Sequence, residues 1–487
     1  MAHFILLFVS AAVWTLGSAL PLQAPLSSQH LEEDQVTISD FILSANIGVS
    51  RPLTEGDIAL PPGRNARKCS SCKWSIVDGV VNVPIVLNSG FTDSDKTFIR
   101  SALEEFSTVT CIRFIDRSSE KDYITIQNNT GCWSVIGKFG GVQTLNLESP
   151  SCMKYGVIQH EAMHSLSFFH EHTRPDRDNF VDIMWNYISP ENQADFKKND
   201  RNTLQLPYDY NSVMHYGRYT FSNTSLKPSV VPKPDPMVFI GQRDGLSGQD
   251  VAKINKFYAC NLCRTKFLGP SGNFSSINAS TPRVNDSCIW LLHVPISKVF
   301  LRFTSFSSSS KNCNAKINVY DGVSKAKPIL ATIRPNETYP VFISSGPFMV
   351  VEYVPIKSCA SSFYASYETV MYGNTYTAYN GSVVSPKYPS FYPSSAKDIS
   401  VIIAPIGFKV SVNFTLFDIE SSPNCTSDVL LIRNGGDINS SVLGKYCGRK
   451  TTLSLLSSGR MMLFQFSSDT QTNRKGYKAD YTFVSSK

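Results

Sequence analysis

The sequence predicts a multidomain chain in which a mixed α+β unit is followed by two all-β sandwiches. Three observations lead there. At 487 residues the chain has material for about three folded units of roughly 100–200 residues each. Up to Cys263 amphipathic helical stretches alternate with short strand-like runs, whereas beyond it no helical period remains and Ser, Asn, Val, Phe and Tyr dominate. That second half also repeats itself: "FTSFSSSSKNCNAKINVYDG" (303–322) aligns with "FTLFDIESSPNCTSDVLLIRNG" (414–435), which implies two tandem units of about 110 residues.

In chain order, the apolar run Phe4–Leu16 followed by Gly17-Ser18-Ala19 is too short to span a bilayer and is read as a secretory signal, residues 1–19. Residues 20–64 are acidic and cysteine-free and end in "LPPGRNARKC", the composition of a removable pro-segment cut after Arg64 to leave Asn65 first. Residues 92–108 place Phe98, Ile99, Ala102, Leu103 and Phe106 on one helical face, with Thr92 as cap. Strands are expected at "CIRFID" and "YITIQN", then the glycine-punctuated "CWSVIGKFGGVQTLNL", where backbone can approach a ligand closely. Two further helices are expected, one at about 156–168 and one at about 248–258 with Val251, Ile254 and Phe257 inward.

Composition excludes several classes. With 42% hydrophobic and 17% charged residues the chain is not a disordered one, and no later stretch forms a membrane anchor. Residues 262–487 hold 23 basic against 12 acidic groups, while residues 65–261 hold 21 of each. In a secreted chain that basic half points to acidic glycoprotein or polysaccharide rather than nucleic acid. Twelve cysteines fit a disulfide-bonded extracellular protein, as do the N-x-S/T sequons at Asn128, Asn223, Asn273, Asn336, Asn380 and Asn439. The C-x-x-C pairs Cys69/Cys72 and Cys260/Cys263 also have the spacing of half zinc sites, a reading the oxidising compartment disfavours.

The strongest chemical signal is "HEAMHSLSFFHEH", His160 to His172. On a helix His160 and His164 lie one turn apart and point the same way, so two imidazoles can hold one zinc ion. His170 adds a third neutral nitrogen and leaves an open position, as a catalytic zinc needs. Glu161, beside the first ligand, is placed to act as a base toward an attacking water. Downstream, "SVMHYG" (212–217) supplies a methionine and a tyrosine.

Together with "HEHTRPDRDNFV", "CWSVIGKFGGVQ" and "IGQRDGLSGQDVAKINKFYAC", these motifs closely resemble the astacin family of metzincin zinc endopeptidases over residues 65–261. The resemblance implies that His160, His164 and His170 bind one Zn2+ and that Met214 forms the Met-turn beneath it. It further implies that Tyr216 is a switchable zinc ligand and oxyanion stabiliser, and that Glu171 receives the new N-terminus of the mature enzyme. Disulfides Cys111–Cys260 and Cys132–Cys152 follow from it, and the extra "CSSC" suggests Cys69–Cys72 near the mature N-terminus. One departure stands at the motif's glycine, where this chain has Ser167. If φ is positive there, serine adds strain of about 1–2 kcal/mol, and glycine is expected to relieve it.

In the pro-segment, "LTEGDIAL" resembles the family's inhibitory motif, which implies that Asp57 fills the metal's open site in the zymogen. The repeats at 263–368 and 371–485 resemble CUB domains, with Cys263–Cys288 in the first and Cys425–Cys447 in the second. Cys313 is left with Cys359 as its partner. Many CUB domains hold calcium on three acidic residues. Glu420, Asp428 and Asp469 stand at those places in the second unit, whereas Lys316 and Ile356 match two of them in the first, so Ca2+ is expected in the second only.

The expected function is thus a secreted zinc endopeptidase, made as a zymogen and activated by a protease cutting near Arg64. Its CUB pair would hold it to an extracellular substrate. The domain order resembles amphibian-type hatching enzymes, which implies egg-envelope glycoprotein as substrate. Two alternatives are a CUB-type matrix- or glycan-binding protein with a weakened protease unit, motivated by Ser167, and a cortical-granule protease that hardens the envelope.

Overall fold

The computed structural model describes residues 36–59, 72–200, 203–224, 227–276, 287–310, 312–356 and 359–486. The expected signal segment, the Arg64 cleavage point and Cys69 lie outside them. Residues 37–59 form helix α1 (Ile38–Ala45) and two short strands, β1 (Leu53–Thr54) and β2 (Ile58–Ala59). A capping box starts α1, with the Thr37 N–H donating to Asp40 Oδ2 at 2.8 Å, and Ile38 and Ile42 sink into the core of the mixed α+β unit.

That unit is built on a twisted sheet with strand order β1-β2-β7-β8-β6-β4-β3, in which β5 also pairs with β4. The further strands are β3 (Ile76–Val77), β4 (Val80–Leu87), β5 (Ile112–Asp116), β6 (Tyr123–Gln127), β7 (Cys132–Val135) and β8 (Val142–Leu147). Strands β4, β6 and β8 run parallel, and β7 returns antiparallel to β8. On the far side of β7, β2 pairs in parallel register, Ile58 opposite Ser134 and Ala59 opposite Val135.

Two helices back the sheet: α2 (Asp93–Val109), capped by Thr92 with Asp95, and α3 (Tyr155–Ser165). Ile99, Ala102, Leu103 and Phe106 are buried as the helical period predicts, but Phe98 is 38% exposed. It sits one step ahead of that stripe and touches Tyr155 only edge-on, ring centroids 6.3 Å apart. After α3 the described residues form short 3-10 helices, the longest Pro190–Phe196, and the pair β9 (Val181–Ile183) and β10 (Val230–Pro232), until α4 (Gly248–Phe257) closes the unit. A small apolar cluster around Phe196, Tyr208 and Tyr216 holds this lower half.

Each repeat folds as a five-stranded sheet packed on a four-stranded one, in the same strand order. Even the bulge recurs, between Phe303 and Ser305 in the first and between Phe414 and Leu416 in the second. The first sandwich is not merely tethered to the α+β unit. Its Ile289, Leu291, Val323 and Val350 join that unit's own apolar cluster. Lys266 donates to Glu105 on α2 at 2.6 Å with both side chains fully buried. The two sandwiches likewise share apolar packing through Val401, Ile403 and Leu463, and Arg302 pairs with Asp437 at 3.0 Å.

Candidate active site and metal centre

Helix α3 is buried from Gly156 to Ser165, so each polar group on it needs a partner. Gln159 has two, donating to the Ala102 carbonyl and accepting from the Leu246 N–H. The helix stops at Ser165, earlier than the sequence predicts, because Ser167 adopts a left-handed φ of 79°. That turn brings the Phe168 carbonyl back to His164 and sends His170 toward the helix.

The three histidines converge. His160 Nδ1 donates to the Val213 carbonyl at 2.7 Å, His164 Nδ1 to the Phe168 carbonyl at 2.7 Å, and His170 Nδ1 to Glu55 Oε2 at 2.8 Å. Each ring therefore carries its proton on Nδ1 and presents a bare Nε2. The Nε2 of His160 lies 3.1 Å from that of His170 and 3.2 Å from that of His164. Three lone pairs this close repel one another unless a cation sits among them, and N–Zn bonds of about 2.0–2.1 Å set tetrahedral edges of roughly 3.3 Å. The donor set fits zinc. Asp57, 2% exposed, places its carboxylate oxygens 3.1, 3.2 and 3.3 Å from the Nε2 atoms of His160, His164 and His170, at the fourth corner.

Glu161 is fully buried, and neither carboxylate oxygen has a hydrogen-bond partner among the described residues. Burial and the Asp57 charge hold its carboxyl well above the usual carboxylate range. Tyr216 stacks on His172 at 3.8 Å between ring centroids and donates its hydroxyl to the Glu55 carbonyl at 2.6 Å. Met214 is buried, and its carbonyl accepts from the Glu171 N–H at 2.9 Å. Asp250 on α4 fixes this turn, accepting from Ser212 Oγ at 2.6 Å and the Val213 N–H at 2.8 Å.

Glu171, expected to receive the mature N-terminus, is already engaged by side chains of the fold. Lys253 donates to its Oε2 at 2.6 Å, and its Oε1 accepts from the Asp209 N–H at 2.9 Å and Arg174 at 3.3 Å. Sequence reading passed over Glu55, Asp250 and Lys253. For Glu55 a signal was present, a second carboxylate two residues before Asp57.

Disulfides join Cys111–Cys260, Cys132–Cys152, Cys263–Cys288, Cys313–Cys359 and Cys425–Cys447. Cys72 is also disulfide-bonded, and its expected partner Cys69 lies outside the described residues.

Residues 71–259 match the family model "Astacin (Peptidase family M12A)", and residues 263–367 and 372–481 each match the CUB domain. The chain is 38% identical over 463 residues to Embryonic protein UVS.2 of Xenopus laevis, covering 93% of this chain and 89% of that protein. It is 42% identical over 353 residues to Astacin-like metalloendopeptidase of Gallus gallus, covering 71% of this chain and 86% of that protein. The chain belongs to the astacin family of zinc metalloendopeptidases. Among solved structures, this astacin is similar to High choriolytic enzyme 1, a hatching enzyme zinc-protease from Oryzias latipes. The match has 45% identity and a TM-score of 0.39, and covers 40% of this chain and all of that one.

In the second CUB unit of this astacin, ligand oxygens of Glu420, Asp428 and Asp469 lie within 4.8 Å of one another. Asp428 is 1% exposed and accepts from the Tyr392 hydroxyl and the Asp469 N–H, while Glu420 Oε2 is buried without a hydrogen-bond partner among the described residues. In the first unit, where Lys316 and Ile356 replace two of the carboxylates, the Cys313–Cys359 disulfide ties the same two loops together.

Proposed function

We propose that this astacin is a secreted zymogen whose pro-segment plugs the metal site, and that its activated form digests egg-envelope glycoprotein at hatching. The observation that carries the zymogen reading is Asp57, whose carboxylate reaches all three Nε2 atoms within 3.3 Å. Glu55, beside it, supports the same reading by occupying both His170 Nδ1 and the Tyr216 hydroxyl.

Zinc held by His160, His164 and His170 would supply Lewis-acid polarisation of the scissile carbonyl. Glu161, buried beside that position and unpartnered among the described residues, takes a proton from the attacking water and later delivers it to the leaving amine. Tyr216, released when Glu55 departs, donates its hydroxyl to the oxyanion. Removal of β2 bares the edge of β7, whose free backbone groups suit an extended peptide adding as a strand. Ca2+ on Glu420, Asp428 and Asp469 would rigidify the second CUB unit. Unchanged melting in a calcium titration would contradict that site.

The substrate reading draws on a relative described as a hatching enzyme zinc-protease and on the basic surplus of the CUB pair. Its test is to incubate the activated enzyme with isolated egg envelope and sequence the fragments. Cleaved envelope glycoproteins are expected, with none from Glu161→Gln. An envelope left intact by an enzyme that still cuts short peptides contradicts the substrate but not the chemistry.

A further inference from the structure

Helix α4 grips the zinc site from below at two positions one turn apart. Asp250 holds Ser212 and the Val213 N–H, and the Val213 carbonyl orients His160. Lys253 holds Glu171, the residue after His170, and the Glu171 N–H bonds back to the Met214 carbonyl. One helix therefore sets the backbone around two of the three nitrogen ligands.

The Lys253 contact is a built one. Glu171 is 4% and Lys253 6% exposed, and their 2.6 Å contact leaves little room for water. Both acceptor directions of Glu171 Oε1 are taken, by the Asp209 N–H and Arg174. Burial alone would lower the Lys253 ammonium, but Glu171, Asp250 and Asp209 outweigh it and hold its pKa above the ordinary lysine value.

All of this is in place with the pro-segment seated in the cleft. We propose that Lys253 is a positioning residue for the zinc site, supplying from within the fold the cation otherwise expected from the new N-terminus. On the zymogen reading given above, activation then consists of withdrawing Asp57 and Glu55, and the position of the new N-terminus does not matter.

The test uses the full chain in two arms. In the first, the cleavage site is moved so that the mature enzyme carries four extra residues before Asn65. Its kcat/KM should stay within about twofold of the enzyme beginning at Asn65, and a tenfold loss overturns the proposal. In the second, zinc affinity is measured by chelator competition. Lys253→Met should weaken zinc at least about tenfold, the range typical of partners behind a metal ligand, with KM little changed. Adding Glu171→Gln removes the uncompensated charge and should recover most of that loss, as should Lys253→Arg in place of Met. Unchanged affinity in Lys253→Met, or no recovery in either second variant, overturns it. Should Lys253→Met fail to fold, Lys253→Arg and the extended N-terminus still decide. A wild-type enzyme that cuts no peptide would contradict the endopeptidase reading, and the zinc affinities would judge Lys253 regardless.

Discussion

The Ser167 hydroxyl donates to the Cys72 carbonyl at 2.8 Å, from a backbone held at φ 79°. Serine in that conformation costs about 1–2 kcal/mol, and the hydrogen bond returns about 1 kcal/mol. Sequence reading counted only the strain and expected glycine to improve the site. The bond changes the expectation. Ser167→Gly should alter stability by less than about 1 kcal/mol, whereas Ser167→Ala keeps the strain, loses the bond and should destabilise by about 1 kcal/mol or more. Denaturant unfolding of the three forms checks this, and a gain above about 2 kcal/mol for glycine would contradict it.

Latency should depend chiefly on Asp57. In the intact pro-form Asp57→Ala opens the fourth corner of the site and should give measurable peptide cleavage. Glu55→Gln, which retains the main-chain contact to Tyr216, should release less. Cleavage by uncut pro-form, verified by gel, is the readout. A silent Asp57→Ala pro-form would assign latency to steric blockage by the rest of residues 36–59.

The histidine motif was legible because its i, i+4 spacing on a helix has few other uses, and the strand repeat was legible because the two halves share turn and bulge positions. Residues whose roles exist only across long sequence separations were not. Lys253 and Glu171 are 82 positions apart, and Lys266 and Glu105 161 apart. Nothing local marks such pairs. Phe98 was misplaced for a different reason, since hydrophobicity at the flank of a helical stripe does not say whether another element covers it.

The junction between the protease and the first CUB unit should behave as core. Lys266→Met takes from buried Glu105 its only cation, leaving the Tyr155 hydroxyl at 3.0 Å from Oε2 among the described residues, and such losses typically cost about 3–5 kcal/mol. Truncation after residue 262 also strips the apolar contacts of Ile289, Leu291, Val323 and Val350 and should lower the melting temperature of the protease unit. Truncation after residue 370 should not. Equal melting temperatures in calorimetry for the two truncated forms would contradict a load-sharing interface.

At the junction of the two CUB units, Asp398 is buried and its pKa is raised to about 7, chiefly by desolvation. Its ionisation is thus resisted in the folded chain but not in the unfolded one. The penalty begins above the unfolded value near 4 and is complete above about 7. Asp398→Asn should gain stability relative to the parent as pH rises from 4 to 7, on the order of 4 kcal/mol in full, and the difference should then level off. Unfolding curves across that range test the sign, and a pH-independent difference would contradict it.

The most direct test of a zinc endopeptidase that uses Glu161 as its base is a paired measurement on activated wild type and Glu161→Gln. Metal content by mass spectrometry should be one zinc per chain in both, because Glu161 contacts none of the three Nε2 atoms. Cleavage of a short peptide should fall by several orders of magnitude in the variant, since an amide cannot accept the proton. Activity within tenfold of wild type at equal zinc content would contradict the account.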